Sequence, residues 1–565
     1  MSKKNRRKSH TPPRPPRTPE RPDAASWWLE ALLCGIYVFC VVLALCPWDA
    51  GGIPNGLYLD ELASILDLRH LMDTGKDMWG RPFPLFFQSV SDYKNPVYLY
   101  AALPWVSVFG CTPAALRTLS VLMALAASLL FLLIARQYGW DRRLAILGAL
   151  LFFLSPSLLA VKRLIFAVNA LVLTLTLAWF LWVRALEKSS FWAYVIAGLA
   201  WGLFTYSYTG ARLMSFLFTG FLLVASFLKG GPHRRGAMAA CFAFAVALIP
   251  MAVYMLSSPE SLTARFEKVS LVNHEGGMAL LTRAPLNYLE LLFSFLWFSG
   301  DPNIRHHFGP GGESYLAFLP LVAVGLWRAW VGRKDIKQAF LFYGFLVFPL
   351  PAVITTLPFH NLRTLHEILF LVLLAVQGAH TLLHVAAPSV RRITAPVSMI
   401  LLSLALLQGI GLTTYYALEY RTRSNPFFTG GALDAVEWAR KKAGNRSLKI
   451  HCSVFADDVG AVDRPHLQMV YAYDLRINLT YDDSWDIGGT HLYDGELSYP
   501  RGTWVLVLEP DLLSQENFWN KVPRHIRQMF RIDLGKEYRP ILRKPAGLRG
   551  QKPEYAEFVL YEKIV

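Results

Sequence analysis

Charge is scarce in this 565-residue chain: Asp, Glu, Lys and Arg together make 17% of it, against 54% hydrophobic and 14% aromatic residues. That balance excludes an ordinary soluble enzyme, whose surface would need more charge, and makes the bilayer the expected solvent. Cysteine is scarcer still. Of six, Cys34, Cys40, Cys46, Cys111 and Cys241 fall in or beside apolar runs and Cys452 stands alone. No disulfide framework and no CxxC metal site can be built from them. No small-residue cleavage site follows the first apolar run, which ends at Cys46-Pro47-Trp48, so residues 29–47 are expected as a retained span rather than a signal peptide. Internal repeats are also lacking.

What the chain has in abundance is apolar runs. A hydrocarbon core of ~30 Å requires about 20 apolar residues in a helix, and such runs recur between residues 29 and 416. The formal charge of +16 would suit nucleic acid, but much of it lies in the N-terminal tail and in short loops between apolar runs, where it speaks for membrane orientation. No nucleic-acid partner is expected.

Five basic loops, at 136–143, 184–188, 229–235, 328–337 and 391–392, are assigned to the cytoplasm by the positive-inside rule. The intervening turns near 162–163, 206–212, 257–313 and 358–364 then face outside. With a cytoplasmic N-terminus this predicts eleven crossings, at about 29–47, 114–135, 144–161, 164–183, 191–207, 213–228, 237–256, 315–331, 339–357, 366–387 and 394–416. The apolar stretch 96–110 would break the alternation if it crossed. At about 15 residues, with Pro104 inside it, it suits a juxtamembrane or re-entrant helix on the outer side.

Three parts are therefore expected: a disordered basic cytoplasmic tail at 1–27; an all-α polytopic membrane domain at 28–418, with a first outer loop at 49–95 and a large outer loop at 257–313; and a small soluble α/β domain at 419–565, outside the cytoplasm. In the last part 432–443 reads as an amphipathic helix, and 447–455, 503–508 and 557–561 as strands.

The chemistry-bearing residues gather on the outer side. The first outer loop carries Tyr58-Leu59-Asp60-Glu61-Leu62, then Lys76 to Pro82 with Trp79-Gly80, then Tyr93-Lys94-Asn95-Pro96; Ala114 to Ser120 follows with Arg117 at its centre. Further along stand Ser155-Pro156 to Arg163, Gly300-Asp301-Pro302-Asn303-Ile304-Arg305-His306 and Pro358-Phe359-His360-Asn361-Leu362-Arg363-Thr364. In their order and shared outward placement these motifs resemble glycosyltransferase family 39, which includes the protein O-mannosyltransferases and the aminoarabinose transferases of lipid A. The resemblance spans most of the membrane region.

It implies the GT-C fold, with about eleven transmembrane helices and outer-face juxtamembrane helices. It also implies an inverting hexosyl or pentosyl transfer from a polyprenyl-phosphate-linked sugar to an extracytoplasmic protein, lipid or glycan, at the plasma membrane, without cofactor or catalytic metal. Asp60 and Glu61 become the candidate catalytic pair. Lys94, Arg117, Arg163, Arg212, Arg305, His360 and Arg363 become candidates for the donor phosphate or substrate.

The residues themselves allow this chemistry. Sugar transfer to a hydroxyl needs a base for the acceptor proton and cations for the leaving phosphate. Asp60-Glu61 is equally an acidic pair favoured at a helix N-terminus, with Leu62, Ile65 and Leu66 as its buried face, and Lys94 equally suits snorkelling at the membrane surface. Arg117, Arg163, Arg212 and Arg363 stand at outer ends of crossings, where the charge bias disfavours them. They read either as ligands of a phosphate, which guanidinium binds bidentately, or as interfacial anchors. The Gly300–His307 loop lacks helical zinc spacing and is expected to shape a polar site rather than hold a metal. His366, Glu367, His380 and His384 share one apolar span, where interhelical hydrogen bonding is the expected role. The rival functions are a transporter or flippase of polyprenyl-linked sugars, and a membrane-anchored scaffold.

Overall fold

The computed structural model describes residues 24–45, 54, 56–89, 92–259, 266–267, 269–424, 428 and 441–442, and then strands at 448–451, 486–487, 490–491, 504–510, 538–545 and 556–563. The expected helix at 432–443 lies outside these residues except for its last part; of the tail expected as disordered at 1–27, residues 1–23 lie outside them, while Ala24 to Trp27 are helical, as the first turn of helix Ala24–Leu45. From residue 24 to 424 the architecture is helical, and the protein is a multi-pass membrane protein. Among the described residues seven helices are long and apolar enough to cross a bilayer: Trp28–Leu45, Pro113–Gln137, Val168–Lys188, Thr209–Lys229, Gly231–Ser257, Ile336–Val353 and Pro388–Tyr420.

An eighth is the pair Arg142–Phe153 and Pro156–Arg163, bent by 54°. The crossing expected as continuous at 144–161 is therefore broken. Pro156 has no N–H to donate back into the first helix and its ring excludes the preceding carbonyl, so the chain turns at Leu154-Ser155. It closes in a 3-10 turn, Val161–Arg163. The other three expected crossings coincide with shorter apolar helices, Phe191–Thr205, Phe318–Val331 and Glu367–Leu383. The stretch expected at the interface is the helix Pro96–Phe109. Its 14 residues span about 21 Å at 1.5 Å per residue, short of a hydrocarbon core.

Large apolar side chains lie exposed along the helices, such as Phe242 at 73%, Leu256 at 88% and Ile393 at 68%. Continuous apolar surface on a folded chain marks contact with something other than water, here the acyl chains. Inside, the bundle is held by aromatic packing. Trp179 and Phe340 stack at 4.2 Å between centroids, and Trp201, Phe218 and Phe370 meet the same Phe340 ring edge-on or tilted. Where lipid supplies no hydrophobic drive, close backbone approach matters more. Helices Phe318–Val331 and Glu367–Leu383 meet through Gly325 and Gly378: a Cβ on the first would stand 2.0 Å from the Leu374 carbonyl oxygen, and one on the second 1.9 Å from that of Leu321. Gln377 Nε2 adds a hydrogen bond of 3.1 Å to the Gly325 carbonyl.

Two elements between residues 58 and 95 prepare the site. Helix Leu59–Thr74 begins where Glu61, its third residue, reaches back to accept the Tyr58 N–H at 3.1 Å, half of a capping box. It ends at Gly75 in the left-handed region, φ 72°. Leu62, Ile65 and Leu66 are buried, as its apolar spacing required. A two-stranded hairpin, Phe87–Ser89 with Asp92–Lys94, then delivers Lys94 to the start of helix Pro96–Phe109.

Near the C-terminus four strands form one mixed sheet. Trp504–Pro510 lies between Leu448–His451, to which it is parallel, and Ala556–Lys563, antiparallel to it; Tyr538–Pro545 pairs with the far edge of the latter. The three strands expected there are present.

Candidate active site

One cavity of about 650 Å³ is walled by the expected motifs. Tyr58, Asp60 and Ser64 come from helix Leu59–Thr74 and its entry, Lys94 and Asn95 from the hairpin and the residue after it, Ile165 to Val168 from the turn after the broken helix, Asp301, Asn303, Arg305 and His306 from one loop, and His360 and Arg363 from another segment between helices.

The adjacent acids Asp60 and Glu61 separate completely. Successive residues of a helix point about 100° apart; Asp60 is exposed at the cavity, whereas Glu61 is fully buried behind it. Arg117 clamps Glu61 with two hydrogen bonds, Nε to Oε1 at 3.0 Å and Nη2 to Oε2 at 2.9 Å. Its remaining donors go to the carbonyls of Pro54 and Gly56, at 2.9 and 2.7 Å. The Ile165 N–H also reaches Glu61 Oε1, at 3.1 Å. Glu61 and Arg117 thus tie the start of helix Leu59–Thr74 to the turn near Ile165. Neither belongs to the cavity wall.

The other cations divide likewise. Lys94 lines the cavity with Nζ 3.6 Å from Asp67 Oδ2. Burial pushes the Asp67 carboxyl up to about 6, against the opposing charge of Lys94. The Arg305 guanidinium lies 4.2 Å above the Tyr58 ring and is oriented by Asn303 Oδ1, which accepts from its Nε at 3.1 Å. Arg363 lines the cavity while one of its amino groups donates to the Leu357 carbonyl, at 2.6 Å, and to Thr355. Arg212 donates to Asn95 Oδ1 at 3.2 Å with its guanidinium 4.9 Å from the Phe86 ring, behind the wall. Arg163 donates to the Ala44 carbonyl at 2.9 Å and faces a different, smaller cavity of about 180 Å³. The structure therefore gathers Asp60, Lys94, Arg305, His360 and Arg363 around one space and leaves Glu61, Arg117, Arg163 and Arg212 outside it.

Behind this wall lie buried residues that spacing did not single out. Asn361 joins three segments: its backbone N–H donates to Asp301 Oδ2 at 2.9 Å, and its side-chain amide to the carbonyls of Ser157 and His306, each at 2.7 Å. Beneath it, Glu313 accepts the Asp301 N–H at 2.7 Å and lies 3.2 Å from His307 Nδ1. Burial lowers the His307 pKa, but the Glu313 charge and hydrogen bond outweigh it and leave the imidazole above its ordinary value. Burial likewise disfavours ionised Asp301, yet its hydrogen bond with His306 and the charges of His306 and His360 hold it below the usual carboxylate range. The loop departs from a π-helix, Leu291–Ser299, a form enriched near functional sites.

Comparison with known proteins agrees with this architecture. Residues 93–255 match the family model of dolichyl-phosphate-mannose-protein mannosyltransferases. Among solved structures, ArnT from Cupriavidus metallidurans bound to undecaprenyl phosphate aligns over 95% of this chain and 98% of its own, with 12% identity and a TM-score of 0.53. The oligosaccharyltransferase of Archaeoglobus fulgidus tethered to an acceptor peptide aligns over 79% of this chain, with 13% identity and a TM-score of 0.48; the chain spans 63% of its length. The arabinofuranosyltransferase AftD from Mycobacteria aligns over 95% of this chain and 40% of its own, with 13% identity and a TM-score of 0.48. No curated protein matches. The fold is the GT-C fold, and the resemblance to glycosyltransferase family 39 read from the motifs is carried by both the family match and that fold.

Proposed function

We propose that this protein transfers a sugar from a polyprenyl-phosphate carrier to an acceptor on the non-cytoplasmic side of the plasma membrane. The observation that carries the reading is the composition of the cavity: one exposed carboxylate, Asp60, shares it with the cationic groups of Lys94, Arg305 and Arg363. A glycosyl phosphate requires that division of labour, with a base at the acceptor hydroxyl and cations at the phosphate that leaves. Asp60 is the base or the positioning carboxylate. Lys94, Arg305, His360 and Arg363 hold the donor, and Glu61 with Arg117 holds the backbone that presents Asp60. By family resemblance the anomeric centre inverts. The acceptor is a protein, lipid or glycan hydroxyl, or a lipid phosphate. A transporter would place its ionisable groups near the bilayer midplane, whereas this cavity is built largely from the ends of helices and the loops between them.

The donor arm is tested with purified protein in lipid and a labelled polyprenyl-phosphate sugar. Lys94→Ala and Arg363→Ala are each expected to weaken donor binding by about 10- to 100-fold, the loss of one charge-assisted contact of about 1.5–3 kcal/mol. Unchanged binding in both would remove the phosphate assignment. Mass spectrometry of the labelled product identifies the acceptor class.

The orientation is tested by single-cysteine labelling with an impermeant reagent in a cysteine-free variant. Cysteines placed in 56–89 and at 305 are expected to react in sealed cells, and those at 142, 234 and 333 only after the membrane is opened. Reaction at position 234 from outside would refute the topology.

A further inference from the structure

We infer that Asp301, His306 and His360 form a binding site for a divalent transition-metal ion of the zinc class. The three residues are separated by 5 and 54 positions and so make no motif. The fold brings them to one place: His306 Nδ1 lies 3.2 Å and His360 Nδ1 3.8 Å from the same oxygen, Asp301 Oδ2, and the three atoms lie within 4.8 Å of one another. Atoms that share an ion at about 2.0–2.2 Å in tetrahedral geometry stand roughly 3.3–3.6 Å apart, so an ion enters with small adjustments. Two imidazoles and one carboxylate suit zinc and its neighbours. Magnesium and calcium prefer all-oxygen sets.

The surroundings are those of a held site. Asp301 and His306 are more than nine-tenths buried. Asp301 Oδ1 accepts the Asn303 N–H at 2.8 Å, and Asn361 fixes both Asp301 and the His306 carbonyl, the outer hydrogen bonds that orient metal ligands. A hydrogen bond between Asp301 and His306 alone would account for one imidazole. Here a second ring, that of His360, also lies with its centroid 4.5 Å from the first and its Nδ1 3.8 Å from the same oxygen, so that two imidazoles converge on one carboxylate. All three residues line the large cavity, so the positions that three protein ligands leave open on the ion face a space where an oxyanion can enter. Among the described residues one other such cluster occurs, Asp141 with His380 and His384. Asp141 and His384 in it are half exposed or more, and it serves as the control.

The inference does not depend on the transfer reaction, and neither does its test. The full chain, purified in detergent through a tag without histidines, is stripped with chelator, titrated with Zn²⁺ and passed over a desalting column. Bound metal is counted by mass spectrometry and the unfolding midpoint recorded. The wild type is expected to retain about one zinc per chain and to melt at a higher temperature when loaded. His306→Ala and His360→Gln should lower zinc affinity at least 100-fold, Asn361→Ala by only about 10-fold, because it loses the amide bonds to the Ser157 and His306 carbonyls but keeps the backbone N–H bond to Asp301, and His384→Ala not at all. His360→Gln, at the more exposed ring, keeps the test decisive if His306→Ala does not fold. No zinc retained by the wild type, or equal retention in His360→Gln, would show an Asp–His hydrogen-bond network only. Loss with His384→Ala would move the site to the exposed cluster. Either result overturns the inference.

Discussion

Asp60→Asn is expected to slow transfer by roughly 10²- to 10⁴-fold, the contribution attributed to a general base, while donor binding stays within about twofold of the wild type. The substitution keeps the shape of the side chain and removes only its charge. Asp60 makes no side-chain hydrogen bond or ion pair among the described residues and is exposed at the cavity, so nothing structural should be lost with it. An equal fall in kcat and kcat/KM would mark an interaction made in the transition state alone. A near-normal rate with a hydroxyl acceptor would end the base assignment. It would point instead to an acceptor phosphate, already ionised at neutral pH and in need of no base.

The neighbouring position should respond in the opposite way. Glu61→Ala leaves the Arg117 guanidinium buried without its counter-ion, and removing one partner of a buried pair costs about 3–5 kcal/mol. Both side chains are at least nine-tenths buried, so solvent does little to soften that cost. The expected result is a lower unfolding midpoint in detergent, by several degrees, and a reduced yield of folded protein. Asp60→Asn should leave both unchanged in the same assays. If Glu61→Ala melted like the wild type and yet lost transfer, Glu61 would act in the chemistry and the division between the two acids would be wrong.

That division marks the limit of what the sequence disclosed. The eleven apolar segments, the short helix at 96–109 and three of the four strands of the C-terminal sheet were legible, because apolar periodicity and run length report directly on burial and on the bilayer; the strand Tyr538–Pro545 was not. The outward motifs were legible as a set, since Asp60, Lys94, Asp301, Arg305, His360 and Arg363 line one cavity. Which member of each motif faces that cavity was not legible. Arg117 and Arg163 resemble Arg363 in sequence context, yet the first neutralises Glu61 and the second binds the Ala44 carbonyl. A basic residue at the end of an apolar run reads the same whether its partner is a ligand or a distant buried acid. Asn361 was missed for a related reason: its partners Asp301, His306 and Ser157 lie 55 to 204 positions away, and no local pattern encodes them. The break at Pro156 had a visible signal, but a proline inside an apolar run fixes neither the angle nor the side to which the chain turns.

The glycine contact between helices Phe318–Val331 and Glu367–Leu383 bears on how a ligand gets in. Where backbone touches backbone there are no side chains to change rotamer, so the two helices behave as a single stiff post. The second begins four residues after Arg363, and the segment that carries His360, Asn361 and Arg363 leads directly into it. That side of the cavity is a fixed jamb. Another part of the wall, from Tyr93 to Leu99, hangs on a two-stranded hairpin and a helix whose far end leaves Val108 and Phe109 exposed. On the proposed reading, a long isoprenoid chain is expected to be accommodated on the hairpin side, and donors that differ only in chain length or bulk should then discriminate between variants of the hairpin more than between variants of Lys94 or Arg363.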